Sequence, residues 1–441
     1  MKNFRAAAAT AAMAAMIFSV SSCGIYGKYK SDNDVIEEQI SVPSYREIFT
    51  EPELVSLIDT ALERNLDLRM AHERVNQADA QFTAAKLAYL PHIHIGGSPA
   101  VTMNAASGTS TLTYTMGTAA WEIDIFGRLT NRRRIAKMTV EQMKDYEQAA
   151  RTELVSAVAT LFYTLQMLDA QIAATDAAEK NWEESVRAMK DMKEAGLADE
   201  AGVSQFEGSY YATRTSGKSL RYIRTVAENS LLLLLSSESY DLVRGPISAA
   251  VKPKINVETV ENLDLNAVRV RPDVRAAEMR LAQSFYNVNL ARANCCPSIT
   301  LGGTVGWANG GLLYNAVGGL LQPLFNAGEN IAALRVSKSQ YEESKMAYAS
   351  ALLNAGTDVN NAVAGIRSYR DQIDDCRNRV EAMTRALEAT QLKMKFGRGT
   401  YLEVLTAQND LLDAQIDEIS NTCSILTSIV DLYQALGGGK E

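Results

Sequence analysis

The residue with the clearest chemistry in this sequence is a cysteine close to the N-terminus. Cys23 follows Val20-Ser21-Ser22 and precedes Gly24, so an aliphatic residue and two small residues stand directly before a thiol. This arrangement is typical of a bacterial lipobox, in which the cysteine sulfur takes up a diacylglycerol and the chain is cut just before it. Gly24, in place of an aspartate, favours transfer of the lipoprotein to the outer membrane.

The segment before this cysteine is typical of an export signal. Lys2 and Arg5 precede an apolar stretch, residues 6–20, which is too short to span a bilayer but suits the core of a signal peptide. We therefore predict a lipoprotein signal peptide over residues 1–22 and a lipidated N-terminal linker over residues 23–50. The alternative is an ordinary signal peptide with an incidental cysteine.

The other four cysteines show no CxxC pair and no spacing typical of a metal site. Cys295 and Cys296 are adjacent, and a disulfide between neighbours would be strained, while Cys376 and Cys423 stand alone. We interpret all four as small apolar residues or free thiols.

Histidine is rare in this chain, which contains only His72, His92 and His94. His92 and His94 are two residues apart, so on a strand they would lie on one face and could bind a metal ion. The sequence shows no third ligand beside them. We therefore predict neither a metal site nor a cofactor.

The composition excludes several classes of protein. The chain has 441 residues, 47% of them hydrophobic and 22% charged, which allows a substantial core and argues against wholesale disorder. Its formal net charge is -8, and no basic stripe with interleaved aromatics supports a nucleic-acid partner. No nucleophile–base grouping or phosphate-binding loop points to an enzyme. Apart from the leader, no apolar run reaches the length of a transmembrane helix, so any membrane crossing would have to use strands.

The sequence contains a tandem duplication. Four residues recur 206 positions later (273 minus 67) with the same identity: Asp67, Arg69, Ala71 and Arg74 match Asp273, Arg275, Ala277 and Arg280. An offset of 201 (397 minus 196) carries a later set: Gly196 and Val203 onto Gly397 and Val404. We therefore predict tandem repeats over residues 51–255 and 256–437. The difference of five residues between the offsets predicts a longer loop inside the first strand pair.

Each repeat begins with a helical pattern that changes to a strand pattern. Residues 53–90 carry apolar residues at helical spacing, and Pro91 ends this helix. From Ile93 the alternation has a period of two, with apolar residues on one face and small or polar residues on the other; residues 299–307 repeat it. This pattern is typical of a barrel strand between lipid and a wet lumen or, alternatively, of a half-buried strand in a soluble sheet.

A second strand follows each first strand after a cluster of turn-forming residues. The clusters are residues 104–108 and 309–311, and both are rich in asparagine and glycine. Two tryptophans, Trp121 and Trp307, belong to these strand pairs. We predict them at the membrane interface, where an amphipathic ring is favoured.

A long segment without proline follows each strand pair. No proline or glycine interrupts residues 130–195, which predicts a helix about 100 Å long, since the rise is about 1.5 Å per residue. Residues 330–395 repeat this pattern with two glycines. A glycine-containing turn then leads to a returning helix that ends near Leu235 in the first repeat and Leu436 in the second. Such long helices are typical of a coiled-coil-like tube rather than a compact domain.

In this combination the residues resemble the outer-membrane factors of tripartite efflux and type I secretion systems, the TolC/OprM-like channels. Three motifs carry the resemblance: W-E-I-D-I-F-G at 121–127, Q-P-L-F-N-A-G at 322–328 and G-R-G-T-Y-L-E-V-L-T-A-Q at 397–408. It extends from about residue 50 to residue 436. The lipobox favours the drug-efflux branch, many of whose members are lipoproteins.

The resemblance implies a fold class that is mainly α with a small β part, each repeat giving two barrel strands and long coiled-coil-like helices. Four strands are too few to close a membrane barrel, because about eight is the smallest workable number. The family forms homotrimers, with one 12-stranded barrel and a helical tunnel through the periplasm. The implied partners are a periplasmic adaptor protein, an inner-membrane RND-type pump or ABC exporter, and outer-membrane lipid.

The resemblance also implies which charged residues matter. Glu403 matches the position of an acidic ring at the family's periplasmic entrance, where three carboxylates would favour cations. Asp199 and Glu200 lie in the equivalent turn of the first repeat. Thr406 and Gly399 depart from the pattern, since some members carry a second acid and a basic residue there. Alternatively, the three acids belong to solvated helix ends, where acids near an N-terminus are favoured.

Three functions are consistent with these features. The leading interpretation is a passive exit duct in the bacterial outer membrane, lipid-anchored, which carries small molecules or drugs from the adaptor and pump to the outside. The second is the outer-membrane channel of a type I system that secretes protein or peptide. The third is a soluble periplasmic coiled-coil scaffold, in which the strands form a small sheet.

Overall fold

The structure is a computed structural model that describes residues 25–31, 44–104, 109–237, 245, 247, 267–308, 311–321 and 328–439. So far as these residues are described, the chain forms two compact units. One, the sheet unit, is drawn from residues 1–34, 71–146 and 273–351. The other, the hairpin unit, is drawn from residues 35–70, 147–272 and 352–441.

Three helices precede the first strand: α1 (Tyr45–Ile48), α2 (Pro52–Arg64) and α3 (Leu66–Leu87). Pro52 stands at the first helical position of α2, where its missing N–H costs nothing. Four of the five residues of the predicted apolar stripe are inaccessible to solvent, namely Leu54, Leu57, Ile58 and Ala61, and the fifth, Leu62, is half-buried.

The prediction of one continuous helix over residues 53–90 is wrong, because the chain leaves the helix at Asn65. This buried residue has an extended ψ of 128°, and its carboxamide bonds in two directions. Its Oδ1 accepts the N–H of Leu68 at 2.9 Å, which caps α3, and its Nδ2 donates to the carbonyl of Leu234 at 2.9 Å. Asparagine thus replaces helical backbone partners with side-chain ones.

Four strands form one antiparallel sheet in the order β1-β2-β3-β4: β1 (His92–Asn104), β2 (Thr109–Ile123), β3 (Ser298–Ala308) and β4 (Gly311–Leu321). The first pair is longer, with strands of 13 and 15 residues against 11 and 11 in the second. The additional residues of the first repeat therefore lie in its strands as well as in its turn, which corrects the prediction of a longer loop alone.

The long helices confirm the predicted fold class. They are α4 (Arg128–Glu194), α5 (Glu200–Leu234), α6 (Pro272–Ala293), α7 (Glu329–Lys395) and α8 (Tyr401–Ala435), with a short 3-10 helix at Ala267–Val270. The two repeats match in length: α4 and α7 each have 67 residues, and α5 and α8 each have 35. Among the described residues, no helix combines the length and the apolar character that a membrane crossing requires.

The core of the hairpin unit is built from aromatic and branched side chains. Phe49 packs edge-on against Tyr433, with ring centroids 5.9 Å apart. Nearby, the buried Tyr163 donates its hydroxyl to a carboxylate oxygen of Glu51 at 2.8 Å. Burial raises the pKa of both groups. This hydrogen bond satisfies a polar pair that burial would otherwise penalise.

Candidate functional site

The first hairpin of the hairpin unit, α4 and α5, turns at Gly196. Its φ of +74° lies in the left-handed region that favours glycine. The N–H of Leu197 donates to the carbonyl of Met192 at 2.8 Å, and that of Gly196 donates to Lys193 at 3.0 Å. This pair of bonds is the Schellman ending of a helix.

The second hairpin, α7 and α8, repeats this ending at Gly397, where φ is +66°. The N–H of Arg398 donates to the carbonyl of Lys393 at 2.9 Å, and that of Gly397 donates to Met394 at 3.0 Å. The predicted turns at Gly196 and Gly397 are therefore built from the same backbone hydrogen bonds.

Each returning helix has a side-chain cap at its N-terminus. Asp199 precedes α5, and its Oδ1 accepts the N–H of Gly202 at 2.8 Å. Thr400 precedes α8, and its Oγ1 accepts the N–H of Glu403 at 3.4 Å. The bond of the first hairpin is shorter and made by a carboxylate, so it is the stronger cap.

The candidate acids of the first repeat have local partners. Asp199 is the cap just described, and Glu200 forms an ion pair with Lys193, which lies in the last turn of α4. Both contacts connect the end of one helix to the start of the next. Asp199 and Glu200 thus stabilise the turn itself.

Glu403 lies in a different environment from the first-repeat acids. It is exposed in the first turn of α8. Within the described part of the chain, no lysine, arginine or histidine nitrogen lies within 4.0 Å of its carboxylate. Its charge therefore faces solvent and is not neutralised by any residue that the structure describes.

The position in the first repeat that corresponds to Glu403 is Gly202 (403 minus 201), and its surroundings are tightly packed. A Cβ placed on Gly202 would approach Cε of Met189 at 3.0 Å and a carboxylate oxygen of Asp199 at 3.3 Å. A side chain at this position would thus have to displace the ends of Met189 and Asp199, and among the described residues the exposed acid lies in the second repeat.

A ladder of ion pairs joins the two helices of the first hairpin, and we call it the charge ladder. It consists of five pairs: Lys193–Glu200, Lys190–Glu207, Arg214–Glu179, Arg221–Asp176 and Arg224–Asp169. The hydrogen bond that Arg224 donates to Asp169 raises the pKa of Arg224. In the second hairpin, the described residues show two interhelical pairs: Arg379–Asp417 and Arg377–Glu418.

None of the five pairs of the charge ladder recurs in the second hairpin. The corresponding positions of the second hairpin, 201 residues later, carry no pair of opposite charges. In the same order they are Met394–Tyr401, Gln391–Gln408, Gln415–Val380, Thr422–Arg377 and Ile425–Arg370. The duplication has kept the backbone of the hairpin and changed its electrostatics.

An aromatic cluster fills the tip of the first hairpin. Trp182 is 1% exposed and packs edge-on against Phe206 with ring centroids 5.6 Å apart, beside Val186, Met189 and Val203. The tip of the second hairpin has a smaller cluster of buried side chains: Leu387, Val404 and Ala407.

A groove of about 1100 Å³ lies at the two tips, bordered by both hairpins. The buried Gln408 crosses it to donate its Nε2 to Oγ of Ser185 at 3.0 Å. Its floor includes the apolar side chains of Met189 and Met394, and Lys395 and Glu184 bring charge to its rim. The groove is therefore an amphipathic surface at the tips.

The register of the sheet places most apolar residues of β1, β2 and β3 on one face, as the alternation predicts, whereas β4 also places Val317 on the opposite face. Directly paired residues share a face, and the apolar face so defined is Ile93, Ile95, Pro99 and Val101 of β1, Leu112, Tyr114, Gly117, Ala119, Trp121 and Ile123 of β2, Ile299, Leu301, Gly303, Val305 and Trp307 of β3, and Leu312, Tyr314, Ala316 and Gly318 of β4. Ile95 is 90% exposed and Tyr314 is 81% exposed. The opposite face, the polar face, is rich in threonine and glycine.

The two candidate interface tryptophans lie on the apolar face at opposite ends of the sheet. Trp121 is near the end of β2 and donates its indole N–H to the carbonyl of Tyr89 at 2.9 Å. Trp307 is near the end of β3, opposite Leu312. Both rings are partly exposed in the subunit.

The lipidation candidate, Cys23, lies outside the described residues, as do the signal peptide over residues 1–22 and six residues, 322–327, of one motif. The segment directly after the cysteine is described from Ile25. That side chain is buried, and its carbonyl accepts a hydrogen bond from Nδ2 of Asn131 at 3.1 Å. The chain is thus docked on the sheet unit two residues after Cys23.

The sequence analysis missed the charge ladder and the aromatic cluster. The sequence does contain a signal for the ladder. Charged residues at 169–193 are followed, in reverse order, by residues of opposite charge at 200–224. Reading the two helices as an antiparallel pair about the turn at Gly196 reveals it. The cap by Asp199 could have been found from its position three residues before Gly202.

Comparison with known proteins identifies relatives over almost the whole chain. The family model for outer membrane efflux proteins matches residues 57–237 and 266–438. The toluene efflux pump outer membrane protein TtgC of Pseudomonas putida is 31% identical over 417 residues, which cover 90% of this chain and 85% of TtgC. The probable outer membrane lipoprotein SilC of Salmonella typhimurium is 27% identical over 416 residues, covering 90% and 88% of the two chains.

A further relative has a solved structure. The cation efflux system protein CusC of Escherichia coli is 28% identical over 413 residues, covering 90% of this chain and 88% of CusC. A crystal structure of CusC superposes with a TM-score of 0.83 at 25% identity, over 91% of this chain and 96% of that chain. The arrangement of two strand pairs and two long hairpins is thus shared with a protein described as forming a transmembrane channel.

Proposed function

The chain belongs to the outer membrane efflux protein family and is an outer-membrane channel subunit of an efflux system, and from this premise we propose that three copies assemble into one duct that works with a periplasmic adaptor and an inner-membrane pump. The observation that supports assembly is the sheet. Its four strands leave β1 and β4 with an unpaired edge within the described residues. Edges of this kind are not tolerated in lipid, so each must pair with another copy.

The two faces of the sheet support a membrane position for it. The apolar face carries exposed branched and aromatic side chains on all four strands, and the polar face is rich in threonine and glycine along β1, β2 and β3. Lipid outside and water inside require this division. Three copies would give 12 strands, enough to enclose an aqueous passage, with Trp121 and Trp307 at the two interfaces.

The cargo that we propose is small molecules or drugs delivered by an RND-type pump. Two of the relatives described above are efflux proteins by name, one for toluene and the other for cations. A passive duct takes its specificity from its pump, so these names favour small-molecule efflux over protein secretion by a type I system.

Glu403 is the residue that we propose for the periplasmic entrance. Its carboxylate is exposed at the tip of the second hairpin and has no neutralising partner among the described residues of the subunit. Three such carboxylates at a constriction would attract cations. Asp199 and Glu200 would contribute less field, because the cap and the ion pair already engage them.

Cys23 is the proposed lipidation site. The docking of Ile25, two residues later, would hold the lipid beside the sheet unit. Cys23→Ala should abolish incorporation of radioactive palmitate by growing cells. The variant should still form trimers in the outer membrane, because strand pairing supplies the main anchor. Loss of trimers would contradict the view that the strands anchor the protein more strongly than the lipid does.

Electrophoresis and planar-bilayer recordings test the proposed channel. Protein extracted from outer membranes should run as a trimer when unheated and as a monomer after boiling, and it should give discrete conductance steps. Protein that stays monomeric and produces no conductance would contradict the proposal. Co-purification with the adaptor and pump encoded beside it would test the partners separately.

A further inference from the structure

The acidic and imidazole side chains of the sheet are concentrated in one place. Along the four strands, the residues with an acidic or imidazole side chain are His92, His94 and Glu122. All three lie on the polar face, and all lie at the end of the sheet where β1 begins and β2 ends. A chain with only three histidines has therefore placed two of them side by side on this surface.

The two imidazoles are spaced for a common ligand. Residues two apart on a strand lie about 7 Å apart on the same face, and the intervening Ile93 points to the apolar face. Imidazole side chains on such neighbours can bring two nitrogens to one metal ion, with nitrogen–metal distances of about 2 Å.

The surface around the pair leaves room for an ion and its waters. His92 is paired with Ala120 and His94 with Thr118, and the next strand places Gly302 and Thr304 beside these partners. All four are small residues. A Cβ added to Gly96 or Gly97, which follow the pair on β1, would meet nothing within 4 Å. Both histidines are themselves exposed.

The charged neighbour, Glu122, does not complete the site as a third direct ligand. It forms an ion pair with Arg128 at 2.5 Å, and the described residues contain no group of three or more His, Cys, Asp or Glu placed to hold one metal ion. Water must therefore fill the remaining coordination positions. Glu122, with its partner Arg128, is the one charged residue of β2, and β3 contributes none.

We propose that His92 and His94 form a two-imidazole binding site for a first-row transition cation on the polar face of the sheet. Imidazole nitrogen suits Cu²⁺, Ni²⁺ and Zn²⁺, with Cu²⁺ the most tightly bound, and does not suit Mg²⁺ or Ca²⁺. An imidazole must be unprotonated to act as a ligand, so acidification weakens binding. If the polar face lines the passage, as the proposed function requires, the bound cation lies in the exit path.

The binding experiment uses the full mature protein in detergent, purified through a tag without histidine. Its free thiols are first alkylated with iodoacetamide, so that cysteine cannot supply the ligand. Titration with NiCl₂ by calorimetry should give one Ni²⁺ per chain, and MgCl₂ should give no heat. With CuCl₂, electron paramagnetic resonance should show nitrogen coordination. A wild-type protein without nickel binding or nitrogen coordination overturns the proposal.

Three glutamine variants assign the ligands. His92→Gln and His94→Gln should each weaken Ni²⁺ binding by at least about tenfold, since even a supporting residue of a metal site is worth about that much. His72→Gln, which changes the one remaining histidine on α3, is the matched control and should bind as the wild type does. Equal affinity in all three variants would contradict the assignment.

The binding result is independent of channel activity, so the proposed function and this site can fail separately. In planar bilayers, micromolar Zn²⁺ should reduce the current of the wild type and leave the His92→Gln/His94→Gln double variant unaffected. Metal binding without a reduction of the current would show that the site exists but lies outside the conducting path. Current reduction that persists in the double variant would show that Zn²⁺ acts elsewhere.

Discussion

The two hairpins share one backbone design and differ in what holds their helices together. Both have helices of 67 and 35 residues, and both turn at a glycine with the same two backbone hydrogen bonds. The first hairpin adds the charge ladder and a buried tryptophan at its tip, and the second adds neither. The two hairpins thus share the turn and differ in side-chain packing and in charge.

This difference predicts unequal local stability. The first hairpin gains apolar burial, a strong cap and several interhelical ion pairs. The second hairpin carries the unpaired Glu403 at a tip with a smaller core. Hydrogen exchange measured by mass spectrometry on the assembled protein should therefore be slower near Gly196 than near Gly397.

The largest effect is expected from Trp182→Ala. Truncating a buried aromatic side chain costs about 3–5 kcal/mol, and the neighbouring Phe206 loses its ring contact. Exchange at the first tip should become as fast as at the second or faster. Met383→Ala at the corresponding position (182 plus 201) is the control and should cost less, because Met383 is only half-buried. Similar losses in both variants would contradict the proposed difference between the tips.

A smaller effect is expected from the helix caps. Asp199→Ala removes a 2.8 Å bond and should destabilise the start of α5 by about 1 kcal/mol. Thr400→Ala removes a bond of 3.4 Å, which is weaker, and should accelerate exchange at the start of α8 by less. The two caps would have to be considered equivalent if both alanine variants exchanged equally fast.

Removing part of the charge ladder should have an effect of similar or smaller size. Arg221 and Arg224 pair with Asp176 and Asp169, both at 2.6 Å. Each exposed pair contributes about 0.2–1 kcal/mol, so the Arg221→Met/Arg224→Met double variant should lose roughly 1 kcal/mol locally. Arg379→Met in the second hairpin serves as the control.

Salt provides an independent test of the ladder, because exposed ion pairs are screened at high ionic strength. Wild-type exchange in the first hairpin should accelerate in about 1 M NaCl, and the second hairpin should change less. An equal salt response in the two hairpins would show that the ladder does not stabilise the first one.

Glu403→Gln should have the smallest effect on hydrogen exchange and a clear effect on ion selectivity. The carboxylate has no partner to lose among the described residues, so the rate of exchange should not change. Reversal potentials in a KCl gradient should shift towards weaker cation preference, because three negative charges leave the entrance. Glu200→Gln is the control, since the ion pair with Lys193 already neutralises that acid. Unchanged reversal potentials for Glu403→Gln would remove this residue from the pore.

Much of the fold could be predicted because its signals are local. Pro91 ends a helix, and Gly196 and Gly397 turn the long ones, since each restricts or permits particular backbone angles regardless of the surroundings. The break at Asn65 could not be predicted in this way. It depends on a hydrogen bond to Leu234, which is 169 residues away along the chain.

The candidate residues were predicted unevenly for the same reason. Glu403 and the acids at 199 and 200 could be located from the turns, but their partners could not. Only the folded hairpin shows that Glu200 is paired with Lys193 and that Glu403 has no ion-pair partner among the described residues. Likewise, the spacing of His92 and His94 predicted that they share one face of a strand. Only the register of β1 with β2 shows that small residues surround them.

The sequence by itself determined the duplication, the length of the helices, the positions of the turns and the alternation of the strands. These properties follow from short-range periodicity and from the backbone angles of proline and glycine. Tertiary structure alone decided which charges are neutralised, which acid stays unpaired and which residues share a face across strands. Those properties depend on contacts between residues far apart in the chain, which no local pattern encodes.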